Sequence, residues 1–138
     1  MSQKSYKLFQ EELYAKNNSL ELINLNSNMK EFEKISPNEF IYLISHSSLV
    51  CTDSFHCTVF SLIFGKSLCV FDRFDEERVN SRLKTLLETV HKENFWVGNV
   101  VNQSILKKND SEFDYSVEEI LNGERERVKR YILENCRN

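Results

Sequence analysis

Apolar residues along this chain fall into alternating short runs and helical stripes. Tyr6, Phe9, Leu13 and Tyr14 recur at helical spacing among Lys, Gln and Glu, which predicts an amphipathic opening helix. Residues 20–25 (Leu-Glu-Leu-Ile-Asn-Leu), bounded by an Asn/Ser-rich turn, read as a short strand. Ser36-Pro37-Asn38-Glu39 is a strong helix start: Ser36 can cap, Pro37 suits the first helical position, and Glu39 can close a capping box. The helix it opens carries Phe40, Leu43 and Ile44 on one face.

A short apolar run over residues 48–51 then predicts a buried strand that breaks at Thr52-Asp53-Ser54. A helix over residues 54–64 follows. Phe55, Val59, Phe60, Leu62, Ile63 and Phe64 surround it, so it is expected to be buried all round, and Gly65 is placed to end it. Leu68-Cys69-Val70-Phe71 is a continuous apolar run, the pattern of a strand covered on both faces. Charged residues from Asp72 to Arg78 lead into a helix over about 79–91, and another occupies about 117–135. Alternating strands and helices predict an α/β fold, an incomplete Rossmann-like domain with a short parallel sheet flanked by helices. About three strands are visible, and a helix opens the chain where such a domain would normally open with a central strand.

At 138 residues the chain can bury one core, so residues 1–138 are expected to form a single domain. Hydrophobic residues at 41% and charged ones at 28% are ordinary for a globular protein. A formal net charge of −3 argues against a broad nucleic-acid surface. No apolar stretch approaches the roughly 20 residues that span a bilayer. No signal-peptide core follows Met1-Ser2-Gln3-Lys4, so the cytoplasm is the expected location. Cys51, Cys57, Cys69 and Cys136 form none of the close pairs that zinc sites use and read as reduced thiols, three of them buried; no metal is expected. No G-x-G-x-x-G follows a strand, which removes a dinucleotide fingerprint.

Candidate chemistry gathers at His56. A histidine in the first turn of a helix sits beside unpaired backbone N–H groups and the positive end of the helix dipole. At the carboxyl end of a parallel strand, where α/β sheets bind ligands, such a turn suits a phosphate or carboxylate with a titratable proton donor beside it. A lone histidine that only packs against the helix start is the structural alternative. His46 and His91 lie in polar surroundings near helix ends and carry no assigned chemistry.

Several segments in order resemble the C-terminal half of the polysaccharide pyruvyl transferase family. They are Ser36-Pro37-Asn38-Glu39-Phe40, Val50-Cys51-Thr52-Asp53-Ser54-Phe55-His56, Val59-Phe60-Ser61, Val70-Phe71-Asp72-Arg73, Asn80-Ser81-Arg82 and Leu86-Leu87. The resemblance covers residues 20–87 best and the last helix, with Asp114-Tyr115 before it, more loosely. It implies one half of a GT-B-like protein that transfers pyruvate from phosphoenolpyruvate to a sugar, usually as a ketal, in the synthesis of a surface or secreted polysaccharide. A full member is considerably longer, so the chain is expected to be a fragment, a remnant or half of a split protein, inactive without an N-terminal half. That would also explain the missing opening strand.

Carried over by position, His56 matches the histidine of the family's Ser-Phe-His-Gly motif and is the implied catalytic residue. Ser54, with the amides near it, would hold the donor's phosphate or carboxylate, and phosphoenolpyruvate is the donor substrate, with no cofactor. Arg73, after the strand ending at Phe71, and Arg82, in a segment like the family's Asn-x-Arg, are the implied donor-binding cations, because arginine meets both anions through paired N–H bonds. Surface ion pairs with Asp72, Asp75 or Glu76 are the alternative for both. Thr52 and Asp53 are supporting residues, Asp53 as a helix cap or an orienting group rather than a base. Cys57 stands where the family has glycine, and residues 91–96 depart from its later glycine and arginine, which puts donor binding in question.

The partners implied are phosphoenolpyruvate, a sugar or polysaccharide-repeat acceptor, and either a second copy or a separate N-terminal half, with neither nucleic acid nor a transmembrane segment. A degenerate, non-catalytic assembly domain is the competing expectation. A flavodoxin-like signalling domain is disfavoured, because no acidic pair closes an early strand.

Overall fold

The computed structural model describes residues 3–25, 35–110 and 116–135. Three strands, β1 (Leu49–Thr52), β2 (Ser67–Phe71) and β3 (Trp96–Gly98), form one open parallel sheet in the order β1-β2-β3. Among the described residues six α-helices accompany it: α1 (Gln3–Asn17), α2 (Pro37–His46), α3 (Phe55–Ile63), α4 (Glu77–Thr89), α5 (Gln103–Asp110) and α6 (Ser116–Asn135). The expected α/β class, with a short parallel sheet between helices, is what the chain adopts.

Side-chain alternation along β2 divides the core. Leu68 and Val70 point into one cluster with Ile44, Val50, Cys57, Leu62, Leu83 and Leu87, so α2, α3 and α4 cover that face. Cys69 and Phe71 point into a second cluster with Tyr14, Val101 and Leu106, so α1 and α5 cover the other. All five β2 residues are buried, which is why the run carries no polar alternation. The β1-α3-β2 and β2-α4-β3 connections both lay their helix on the first face. This sends every strand's carboxyl end, and the loops that follow, to one edge.

Local chemistry sets the boundaries. Ser36 caps α2 with its Oγ accepting from the Glu39 N–H at 3.2 Å, while the Glu39 carboxylate accepts from the Ser36 N–H at 2.7 Å. The Ser36 N–H, and after it the Ser36 hydroxyl, favour the ionised Glu39 carboxyl and hold it below its usual value. At the end of α3, Gly65 takes φ +64° and its N–H reaches the Leu62 carbonyl, while the Lys66 N–H reaches that of Ser61. Opposite, α1 is tied to α5 by Tyr14 Oη donating to Asp110 Oδ2 at 2.5 Å and by Gln103 Nε2 donating to Gln10. Buried Asn109 donates to the Leu68 carbonyl at 3.0 Å, fixing α5 to β2.

Three expectations are corrected. Residues 20–25 are not a strand: α1 ends through Ser19 at φ +54°, the Leu20 N–H bonds back to the Ala15 carbonyl, and Leu20, Leu22 and Ile23 stay exposed beside no paired strand. The third strand is instead β3, with α5 after it; neither was foreseen. Helix α3 is not buried all round. Its inner face is made of Cys57, Thr58, Ser61 and Leu62, whereas Ile63 and Phe64 face outward. Small side chains let the helix lie close on the sheet, and the Thr58 and Ser61 hydroxyls bond to the Ser54 and Cys57 carbonyls one turn back. Asp53 is not the cap of α3, a role that falls to Ser54. Asp114, Tyr115 and Cys136 lie outside the described residues.

Candidate active site

The first strand ends at Thr52, whose Oγ1 accepts from the Ser54 N–H at 3.0 Å across the turn into α3. Ser54 is extended (φ −91°, ψ 131°), and its Oγ accepts from the Cys57 N–H at 3.4 Å. Phe55, His56 and Cys57 are therefore the first three helical residues. Helix geometry gives the amides of Phe55 and His56 no partner within α3, so they point out of its positive end.

His56 is exposed on this turn, and Cys57 beside it is buried in the core. A step of about 100° per residue separates these two directions. Consequently the Cys57 side chain lies under the helix rather than on the solvent side with the imidazole. Burial pushes the Cys57 thiol up, which keeps it neutral and unreactive.

Phe55 links the groups on the open side. The His56 ring meets it edge-on, centroids 6.0 Å apart and planes at 90°, and the Arg82 guanidinium carbon lies 4.2 Å from its centroid. Phe55, Ser81, Arg82, Thr85 and Leu86 line a shallow groove of about 310 Å³ between the start of α3 and the flank of α4. The fold thus brings His56, Ser54 and Arg82 to one helix start, with Phe55 as the shared platform. Sequence reasoning missed Phe55; its position next to the histidine, at the first helical residue, was the available signal.

Arg73 lies outside that set of contacts. It follows β2 at the same edge, and its Nε meets Glu76 Oε1 at 3.3 Å, one of the ion pairs weighed as the alternative. Both side chains are about half exposed, so the pair is weak. Asp72, next to it, accepts from Asn99 Nδ2 at 2.9 Å. Asp53 is partly buried and lies one residue before the cap.

The polysaccharide pyruvyl transferase model matches residues 3–75, more than half of the chain. The chain belongs to the polysaccharide pyruvyl transferase family. The matched stretch takes in α1, α2, β1, α3 and β2 and includes Ser54, His56 and Arg73, whereas Arg82 lies beyond it. No curated protein and no solved structure matches the chain. Among the described residues no group of three or more His, Cys, Asp or Glu side chains is arranged to hold a metal ion. None of their helices is long and apolar enough to cross a membrane.

Proposed function

We propose that this member of the family forms the phosphoenolpyruvate side of a pyruvyl transferase acting on a sugar of a surface or secreted polysaccharide. The observation that carries the reading is the exposed His56 in the first turn of α3, sharing the Phe55 ring with Arg82. The donor has two anionic ends. The free amides of Phe55 and His56 with the Ser54 hydroxyl suit one, and the Arg82 guanidinium suits the other. Arg73 joins them when an anion displaces Glu76.

In ketal formation one sugar hydroxyl adds to the enol carbon that bears the phosphate, and the terminal methylene takes a proton to become a methyl group. A second sugar hydroxyl then replaces the phosphate, which leaves as inorganic phosphate. His56 as imidazolium gives the proton to the methylene or steadies the departing phosphate, both electrostatic and acid roles suited to a helix start. The acceptor approaches from the open side of the groove and is held by an N-terminal half, a separate chain or a second copy. The reading also places the reaction in the cytoplasm, where phosphoenolpyruvate is made. Liberation of phosphate from phosphoenolpyruvate that requires a sugar acceptor, with a pyruvyl ketal appearing on that sugar, is the expected result. Phosphate release indifferent to acceptor, or no ketal on any surface-polysaccharide sugar, would count against it.

A second reading, a non-catalytic assembly domain, draws on the last helix. Val128, Tyr131, Ile132 and Leu133 on α6 are at least half exposed. A chain that stays monomeric at high concentration and binds no companion half would remove that alternative.

A further inference from the structure

Asn80 makes an unusual pair of contacts just outside the groove. Its Oδ1 accepts from the Arg73 N–H at 2.8 Å, and its Nδ2 donates to the Arg73 carbonyl at 3.0 Å. A carboxamide is one of the few side chains with one acceptor and one donor in a fixed fork, so it can occupy both main-chain groups of a residue as a neighbouring strand would. Asn80 belongs to α4, and its own N–H bonds to the Glu76 carbonyl at 3.1 Å, while the Glu76 N–H reaches the Arg73 carbonyl at 3.3 Å. The turn between β2 and α4 is thereby fastened to the helix.

Nothing apolar performs that task. Phe74, the only large hydrophobic residue of the turn, is 86% exposed, and Asp75 takes φ +55°. Every residue from 73 to 78 is exposed. Packing therefore does not set where Arg73 stands; hydrogen bonds do, between Asp72 and both Gly98 and Asn99 on one side and between the Asn80 amide and Arg73 itself.

We propose that Asn80 is a positioning residue: it fixes Arg73 to the helix that carries Arg82, two residues further on, so that both guanidinium groups are presented to one dianionic ligand as a single unit. The inference rests on the donor-binding reading above. Asn80 itself contributes no charge and touches no ligand; its effect passes through the Arg73 backbone. Arg73 keeps a fixed origin even while its side chain swings between Glu76 and an anion.

The test measures phosphoenolpyruvate affinity for the full chain and for Asn80→Ala, Asn80→Asp, Arg73→Ala and the Asn80→Ala/Arg73→Ala double variant. Losing both bonds is expected to weaken binding roughly tenfold. Asn80→Asp, which keeps the acceptor but loses the donor and adds a negative charge, is expected to fall at least as far. The double variant is expected to bind no more weakly than Arg73→Ala alone, since both changes remove one contribution. Additive losses in the double variant would overturn the proposal, because Asn80 would then act through the fold at large. Hydrogen exchange of the Arg73 amide supplies a readout that needs no ligand: slow in the parent chain and fast in Asn80→Ala. Equal exchange rates would overturn the fastening. A parent chain that binds no phosphoenolpyruvate would overturn the donor reading and the anion-presenting role with it, and the exchange rates would still show whether Asn80 holds the turn.

Discussion

Replacing His56 with glutamine is expected to lower pyruvyl transfer by about a hundredfold or more, the usual contribution of a positioned acid or base. Stability should hardly change. The imidazole is exposed, its one ring contact is edge-on with Phe55, and glutamine is tolerated in the first turn of a helix. Glutamine keeps a hydrogen-bond donor near the phosphate but has no proton to give at any ordinary pH. The loss should therefore lie mainly in kcat. A rise in KM with kcat preserved would mean that His56 binds the donor and leaves protonation to another group, and unaltered turnover would remove it from the chemistry.

The second large effect concerns stability on the opposite face of the sheet. Glu11 of α1 is half-buried beside the Cys51 thiol, and desolvation pushes its carboxyl from 4.5 to about 7, with Lys7 and Cys51 opposing the shift and Glu12 adding to it. The folded state thus holds a proton that the unfolded chain releases between these two values. Stability must fall as pH rises through that window and be fully regained below it. The difference amounts to up to about 3 kcal/mol, taking 1.36 kcal/mol per pKa unit. Glu11→Gln is accordingly expected to stabilise the chain by up to about 3 kcal/mol at pH 8, to matter little at pH 4, and to flatten the profile between. Urea denaturation of both proteins at several pH values is the measurement. A glutamine variant weaker than its parent at pH 8 would mean that the ionised carboxylate, favoured by Lys7 one turn back on the same helix, outweighs its desolvation. The nearby Cys51 thiol is pushed up mainly by its bond to Cys69 and by burial, so it adds no charge in this range.

Much of this was legible in the sequence, for reasons that differ by element. Ser36-Pro37-Asn38-Glu39 states its capping box in the residues themselves, and the structure forms both bonds. The apolar run at β2 could be read because a strand covered on both faces needs no polar alternation. Residues 20–25 misled because leucine alternation reports a strand's potential and not the presence of a neighbour to bond with. Trp96–Gly98 was missed for the opposite reason: three residues are too few for a period, and pairing with β2 makes them a strand. The short α5 offered only Ile105 and Leu106 as apolar positions, although Asn102, whose Oδ1 accepts from the Ile105 N–H, was a readable start.

At the site, the sequence gives the types of residue but not their company. Histidine after a strand-breaking Thr-Asp-Ser could be placed at a helix start, because capping is local. That Arg82 would stack on Phe55 while Arg73 would pair with Glu76 depends on how α4 lies against α3, a tertiary fact. Asn80 was visible as part of a motif, but its bonds run to a main chain seven residues earlier, and no pattern of side-chain types reveals that.

The central claim is that an anion binds where the amides of α3 and the guanidinium of Arg82 converge. Titrating the chain with phosphoenolpyruvate while following its amide and arginine resonances tests this directly. The account predicts that the largest shifts fall on Phe55, His56 and Cys57 and on the Arg82 side chain. Shifts confined to α5, α6 or the amino end of the strands, or none at millimolar ligand, would contradict it.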